Sequence, residues 1–163
     1  QTYSNAVTLG NDTTFTSSAG GAINFANTIN GAVQLSVNTT GVTTFGGAIG
    51  GTAALSSVTT NTGGTLMMNG GAVTTTGAQT YGEAVILGVG TTLSGNNISF
   101  ASSINGTQAL TITDAGATTL TGAVGATNAL SSVAVSSASG TTIIGGSVST
   151  TGAQTYSLSL IHI

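Results

Sequence analysis

A seven-residue segment occurs twice in this chain, and its recurrence constrains the fold more than any other feature. Residues Thr75–Tyr81 read Thr-Thr-Gly-Ala-Gln-Thr-Tyr, and residues Thr150–Tyr156 repeat them without change. The chain also opens on the last three residues of this segment, at positions 1–3. Counted from one glutamine of the segment to the next, the chain holds two full units of similar length and the start of a third. A tandem repeat of this kind predicts a stack of similar structural units.

A shorter period lies within each unit. Glycine-containing turn signals at 30–31, 50–51 and 70–71 recur with a period of about 20 residues, and short apolar runs lie between them. This period is too short for a propeller blade, and the runs lack the apolar stripe of a helix. The pattern predicts an all-β fold, a β-solenoid with about 20 residues per coil and roughly eight coils. Four apolar residues follow the same step and are expected to stack in one interior column: Phe25, Phe45, Phe100 and Leu120.

The composition supports strands rather than helices or disorder. The 163 residues include 26 Gly and no Pro or Cys, and the remainder is rich in Thr, Ser, Ala, Val and Asn. β-branched residues favour strands, whereas Gly and Asn favour turns. A hydrophobic share of 39% and a mean hydropathy of +0.42 argue against a disordered chain. Segments 33–37 and 110–113 alternate apolar and polar residues, so we expect every second side chain to face a core.

The repeat defines the organisation of the chain. It extends over residues 1–157 without a linker, as units at 1–78 and 79–153 and the start of a third at 154. We therefore expect one continuous stack. Since the sequence begins in mid-repeat, without an initiator Met or a signal region, we expect the natural N-terminus to lie elsewhere.

Residues 158–163 leave the repeat and read Leu-Ser-Leu-Ile-His-Ile. This hexapeptide is one reading frame of CTGTCTCTTATACACATC, which resembles a transposon-end adapter used in sequencing libraries. Our hypothesis is that the tail is an adapter artefact, and a natural apolar strand is the alternative. A longer gene fragment in which the repeat continues past Ser157 would support the hypothesis, and the six codons in genomic DNA would contradict it. His162 is the only histidine, and we assign it no role.

The charge balance excludes several partners. The chain has no Lys or Arg, three acidic residues and a net charge of −3. It cannot neutralise phosphate groups, so nucleic acids and anionic membrane surfaces are not expected ligands. No apolar run approaches the ~18–20 residues of a membrane-spanning helix, and we expect no membrane insertion by this segment.

The acidic residues are the first candidates for chemistry. Asp12, Glu83 and Asp114 could act as a carboxylate pair in glycoside cleavage, which requires two acids about 5–10 Å apart. None of them recurs with the repeat, since the equivalent positions in the other unit hold Gly90, Asn5 and Thr39. We expect solvated turn or edge residues instead, because no Lys or Arg is present to tune or orient them. Isolated acids are also too few for a calcium site, which needs several oxygen ligands.

Other kinds of site find no support in the sequence. The many Ser and Thr residues have no base to activate them. The glycine-rich segment 46–51 is not followed by the Gly-Lys-Ser/Thr of a phosphate loop. Tyr3, Tyr81 and Tyr156 share one repeat position, where we expect half-buried rings that pack along the stack. We therefore expect no enzyme activity, and no catalytic, cofactor-binding or metal-binding residue.

The chain resembles repeats of very large bacterial surface proteins of the filamentous-haemagglutinin and autotransporter-adhesin kind. Three stretches carry the resemblance: Thr75–Tyr81, Ala84–Gly88 and Thr43–Gly51. It covers residues 1–157 and implies a right-handed parallel β-helix shaft, secreted across an outer membrane and displayed at the cell surface in adhesion or biofilm. The implied partners are neighbouring repeats of the same polypeptide. Contacts with a host cell or matrix are expected through parts of the parent protein that this sequence does not contain.

Two alternative functions are compatible with a solenoid. Thr-x-Thr triplets begin at Thr60, Thr111 and Thr119, and aligned Thr columns on a flat β-solenoid face can bind ice. These triplets do not share one position in the short period, which argues against an ice-binding protein. A β-helical polysaccharide-active enzyme is the other alternative, and the absence of Lys, Arg and a usable His argues against it.

Overall fold

A computed structural model describes residues 1–138 and 142–158, which form short strands joined by tight corners. No helix in these two ranges is long and apolar enough to cross a membrane. The tail hypothesis concerns residues that, except for the end of the last strand, lie outside this description. The strands, numbered in chain order, are β1 (Thr2–Tyr3), β2 (Val7–Thr8), β3 (Thr13–Ser17), β4 (Ile23–Phe25), β5 (Ile29–Asn30), β6 (Gln34–Thr39), β7 (Val42–Phe45), β8 (Ser57–Thr60), β9 (Thr65–Met68), β10 (Ala72–Thr74), β11 (Gln79–Tyr81), β12 (Ala84–Leu87), β13 (Thr91–Gly95), β14 (Ile98–Phe100), β15 (Ile104–Asn105), β16 (Ala109–Asp114), β17 (Thr118–Leu120), β18 (Ser132–Ser137), β19 (Thr142–Ile144) and β20 (Gln154–Leu158).

The strands form three parallel sheets. The first sheet has the order β1-β4-β7-β9-β12-β15, and bridges at Val124 and Val148 extend it. The second joins β2-β5 to β10-β13-β16-β18-β20 through a bridge at Ile49. The third has the order β3-β6-β8-β11-β14-β17-β19. The chain passes through the first, second and third sheets in turn, so each strand hydrogen-bonds to the equivalent strand one turn away.

The length of a turn follows from the inward ladder of the first sheet. This ladder has one position for each turn and runs through Ile23, Thr43, Leu66, Val85, Ile104, Val124 and Val148. The mean step corresponds to about 21 residues per turn, and the structure has about seven turns. The predicted parallel β-solenoid is confirmed, with coils slightly longer and fewer than the sequence suggested.

The core fills the space inside the coils. Strand β6 buries Leu35 and Val37, and β16 buries Leu110 and Ile112, as the alternation predicted. The length difference between the units lies in a corner. Positions 18–22 separate β3 from β4, whereas only positions 96–97 separate the equivalent strands β13 and β14. Strand lengths are therefore kept where side chains pack, and corners absorb the changes.

The sequence unit is not a whole number of turns. The Gln-Thr-Tyr residues lie in the first sheet at 1–3, in the third sheet at 79–81 and in the second sheet at 154–156. From the first sheet of the first turn to the third sheet of the fourth turn is three turns and two thirds, and the second unit takes the same path. Equivalent residues of successive units therefore lie on different faces.

This offset corrects the prediction of a single aromatic column. Phe25 pairs with Phe45 in the first sheet, whereas Phe100 pairs with Leu120 in the third. All four side chains are buried, but they form two columns on different walls of the core. The spacing of 20 residues is the same in both units, so it cannot show that the second unit is rotated and places its column in a different sheet.

Candidate functional site

The repeated segment forms a hydrogen-bonded corner inside the coil. In the middle copy, Gln79 and Tyr81 are fully buried. The Tyr81 hydroxyl donates to Gln79 Oε1 at 2.8 Å, and Gln79 Nε2 donates to the carbonyl oxygen of Ser94 at 2.9 Å. The Thr75 hydroxyl donates to the carbonyl oxygen of Gly77 at 2.7 Å and closes the turn. Burial raises the pKa of Tyr81, so its hydroxyl remains a donor.

The other copies of the segment repeat the tyrosine–glutamine bond. The Tyr3 hydroxyl donates to Gln1 Oε1 at 2.9 Å, and the Tyr156 hydroxyl donates to Gln154 Oε1 at 3.3 Å. Both of these tyrosines are half-buried. The prediction that these rings pack along the stack is confirmed, with Tyr81 more deeply buried than expected. In the middle copy the buried Gln79 and Tyr81 satisfy each other's polar atoms, whereas Gln1 and Gln154 are exposed.

Asp114 is buried at the end of β16 and accepts four hydrogen bonds. Its Oδ1 accepts from the backbone N–H groups of Asn97 and Gly116, both at 2.8 Å. Its Oδ2 accepts from the N–H of Ile98 at 2.8 Å and from the hydroxyl of Thr118 at 2.9 Å. The carboxylate thus fills its acceptor sites with groups from two neighbouring turns and holds a corner together.

The equivalent residue of the first unit has a similar role. Thr39 is buried, and its Oγ1 accepts from the N–H of Gly41 at 3.0 Å and donates to the carbonyl oxygen of Gly21 at 2.8 Å. Thr39 and Asp114 both accept a hydrogen bond from the backbone N–H of the residue two positions later in the chain. Asp114 therefore replaces a structural threonine and has no contact that suggests catalysis.

The three acidic residues lie in separate turns. Asp12 is exposed just before β3, where its Oδ1 accepts from the N–H of Gln34 at 2.9 Å. Glu83 and Asp114 are 2% and 1% exposed, so the prediction of solvated residues is correct for Asp12 and wrong for these two. Both lie at corners where the side chain turns into the coil and finds hydroxyl or N–H donors there. Within the described ranges no three acidic, His or Cys residues form a group that could hold a metal ion.

The outward surfaces carry aligned hydroxyl groups that sequence spacing did not reveal. On the third sheet a single outward column of Ser and Thr crosses six turns: Thr14, Ser36, Thr59, Thr80, Ser99 and Thr119. On the second sheet two columns run side by side: Ala72, Thr92, Thr111, Ala134 and Thr155, and Thr74, Ser94, Thr113, Ser136 and Ser157. The three Thr-x-Thr triplets do not share one coil position, as expected, because Thr60 and Thr119 lie in the third sheet and Thr111 lies in the second. Other hydroxyl pairs do align on the second sheet, at positions 92 and 94, 111 and 113, and 155 and 157. Corners of different length place them in register although their spacing along the sequence varies.

The first sheet differs from the other two. Its outward column includes Thr44, Met67 and Ile86, so apolar side chains interrupt the hydroxyl groups. No pocket opens on any face of the part of the chain that the structure describes. The candidate functional surface is therefore the pair of uncharged, hydroxyl-bearing faces on the second and third sheets.

Comparison with known proteins gives this surface no precedent. No protein-family model, curated protein or solved structure matches the chain. Function must be argued from the geometry of the stack.

Proposed function

We propose that this chain is a shaft segment of a secreted or surface-displayed repetitive bacterial protein, acting as a rigid spacer in adhesion or biofilm without catalysis. The observation that carries the proposal is the continuity of the sheets across the boundary between units. Strand β11 begins the second unit, and it pairs with β8 of the first unit as it does with β14 of its own. A unit boundary is therefore an ordinary turn boundary, with no hinge.

Each unit is rotated by one sheet relative to the unit before it, because it spans three turns and two thirds. A long shaft built in this way presents the same features on each of its sides in turn. Strands β3, β6 and β8 of the first unit lie in the third sheet, and their equivalents β13, β16 and β18 lie in the second. The strands that carry the hydroxyl columns therefore lie in the third sheet in the first unit and in the second sheet in the second unit. At a strand spacing of about 4.8 Å, each unit adds roughly 18 Å of length.

The proposed location outside the cell rests on composition and on the resemblance of the repeats to surface adhesins. The sequence has no Lys or Arg and so offers trypsin no cleavage site. It has no Cys, so the fold does not depend on disulfide formation during export. The buried acidic side chains of Glu83 and Asp114 form hydrogen bonds inside the corners. We therefore assign receptor binding to other parts of the parent protein.

Rigidity can be measured with a pair of spin labels. Since the sequence has no Cys, a Thr14→Cys, Thr119→Cys double variant carries only the two introduced thiols. The two positions lie five rungs apart in one column of the third sheet. Electron paramagnetic resonance should give one narrow distance distribution, for a Cα separation of about 24 Å. The shorter Thr14→Cys, Thr80→Cys pair provides the control, and a broad distribution for the longer pair would contradict a rigid spacer.

Ice binding is the second candidate, and the two hydroxyl columns of the second sheet favour it. Neighbouring rungs lie about 4.8 Å apart, and residues i and i+2 of a strand lie roughly 6.6 Å apart. The two columns therefore form a lattice of hydroxyl groups with gaps at Ala72 and Ala134. Most of its side chains are exposed, and no charged group interrupts them.

A thermal-hysteresis assay decides this second candidate. If the second sheet binds ice, the unaltered chain shows hysteresis, Thr111→Tyr reduces it several-fold by blocking the lattice, and Thr44→Tyr on the first sheet leaves it unchanged. An unaltered chain that shows no hysteresis rejects ice binding and leaves the shaft proposal standing.

A further inference from the structure

Glu83 occupies an unusual corner of the core. It lies between β11 in the third sheet and β12 in the first, and its side chain points into the coil. Positions 82–83 form this corner and positions 40–41 form the corner two turns before it, but the corner of the turn between them is longer and spans 61–64. The Glu83 carboxyl reaches across that turn, because its Oε1 accepts a hydrogen bond of 3.2 Å from the hydroxyl of Thr43.

Two polar atoms at this corner have no hydrogen-bond partner. They are Glu83 Oε2 and the hydroxyl oxygen of Thr60, and they are the only such buried side-chain atoms among the described residues. The Thr60 hydroxyl nevertheless lies close enough to the carboxyl to influence its ionisation. The Thr60 hydroxyl carries its own hydrogen and is both a donor and an acceptor. The two atoms can therefore pair either when Thr60 donates to an ionised Oε2 or when a protonated Oε2 donates to Thr60.

No positive charge lies beside the carboxyl in the part of the chain that the structure describes. The strands packed against Glu83 contribute Thr43 from β7 and Thr60 from β8, and the sequence contains no Lys or Arg. The nearest titratable group along the chain is Tyr81 of β11, whose hydroxyl already donates to Gln79. The N-terminal amino group lies on the first turn, where it donates to a backbone carbonyl. An ionised carboxylate in such a position would be strongly disfavoured.

We propose that Glu83 is a neutral carboxylic acid in the folded protein, that its Oε2 donates the proton to Thr60 Oγ1, and that loss of this proton weakens the stack at this corner. Both protonation states can pair the two atoms, but only the protonated state does so without placing a charge in the core. The corner becomes a pH-sensitive element of the core.

The ionisation of Glu83 sets the pH range. Burial is the largest influence and raises the pKa from 4.5 to about 7, while the hydroxyls of Thr43 and Thr60 lower it by a smaller amount. Between these two values the folded chain binds a proton that the unfolded chain has released. Stability therefore falls as the pH rises through this window, and the contribution of Glu83 is constant above it.

The chain offers a direct measurement, because Glu83 is its only glutamate. Labelling glutamate at the side-chain carboxyl carbon with carbon-13 gives one resonance, whose titration in the folded protein should have its midpoint near 7. A midpoint near 4.5, the unshifted value, would overturn the proposal.

The effect on stability is measured with Glu83→Gln, which keeps the shape and offers an amide donor to Thr60. In urea unfolding between pH 4.5 and 8.5, the unaltered chain should lose up to about tenfold in folded-to-unfolded ratio per pH unit relative to Glu83→Gln within the window. Asp12→Asn, at an exposed acid, is the matched control and should follow the unaltered chain. Parallel pH profiles for Glu83→Gln and the unaltered chain would refute the coupling to stability.

Discussion

Replacing Asp114 with alanine should lower the free energy of unfolding by about 3 kcal/mol or more, because each unpaired buried group costs about 1–3 kcal/mol. The carboxylate accepts hydrogen bonds from three backbone N–H groups and one hydroxyl, and it is 1% exposed. Alanine leaves all four donors without this acceptor, and three of them, from Ile98, Gly116 and Thr118, are buried. Urea unfolding followed by far-ultraviolet circular dichroism at pH 7 measures the change.

Two variants test whether the hydrogen bonds cause this effect. Asp12→Ala makes the same chemical change at an exposed acid with one backbone partner, and should cost less than about 1 kcal/mol. Asp114→Thr introduces the residue found at the equivalent position of the first unit, where Thr39 accepts from the N–H of Gly41. It should recover part of the loss. Equal losses for Asp114→Ala and Asp12→Ala would show that the buried network contributes little.

Replacing Tyr81 with alanine should cost about 3–5 kcal/mol, the range for removing a large buried aromatic side chain. Tyr81 is fully buried, and its ring stacks on Phe100 with the centroids 4.8 Å apart. The substitution also removes the donor to Gln79 Oε1. Because Tyr81 lies near the middle of the stack, the defect affects turns on both sides, and the unfolding transition should shift to lower urea concentration.

Tyr81→Phe separates the packing of the ring from its hydrogen bond. It keeps the aromatic contact and should cost only about 1 kcal/mol. Tyr3→Ala removes the equivalent, half-buried side chain of the first turn and should cost less than Tyr81→Ala. If Tyr81→Phe were as damaging as Tyr81→Ala, the tyrosine–glutamine bond rather than the aromatic packing would hold the corner.

The strands and corners could be predicted because their signals are local. Alternation of apolar and polar residues located the buried positions of β6 and β16, and glycine-rich stretches marked the corners. Gly50, at one of the predicted turns, has a φ of 71°, a left-handed conformation that glycine adopts without steric strain. The repeated segments predicted that similar units stack on one another.

The roles of the acidic residues could not be predicted, because burial is not a local property. Glu83 and Asp114 occupy positions that hold Asn5 and Thr39 in the first unit, and nothing in their neighbours along the chain marks an inward side chain. Asp114 meets N–H groups of Asn97 and Ile98, which belong to the turn beneath it. Those partners come together only when the turns stack.

The sequence by itself determined that the chain is an all-β tandem repeat of short coils, since turn signals and alternation act over a few residues. Only the tertiary structure decided which strand lies over which. Successive inward positions of the first sheet at Thr43, Leu66 and Val85 are unequally spaced along the chain, because corners differ in length. The sum of these lengths makes the unit three turns and two thirds. Stacking therefore places one repeated motif on three different faces and aligns hydroxyl groups whose spacing along the chain is irregular.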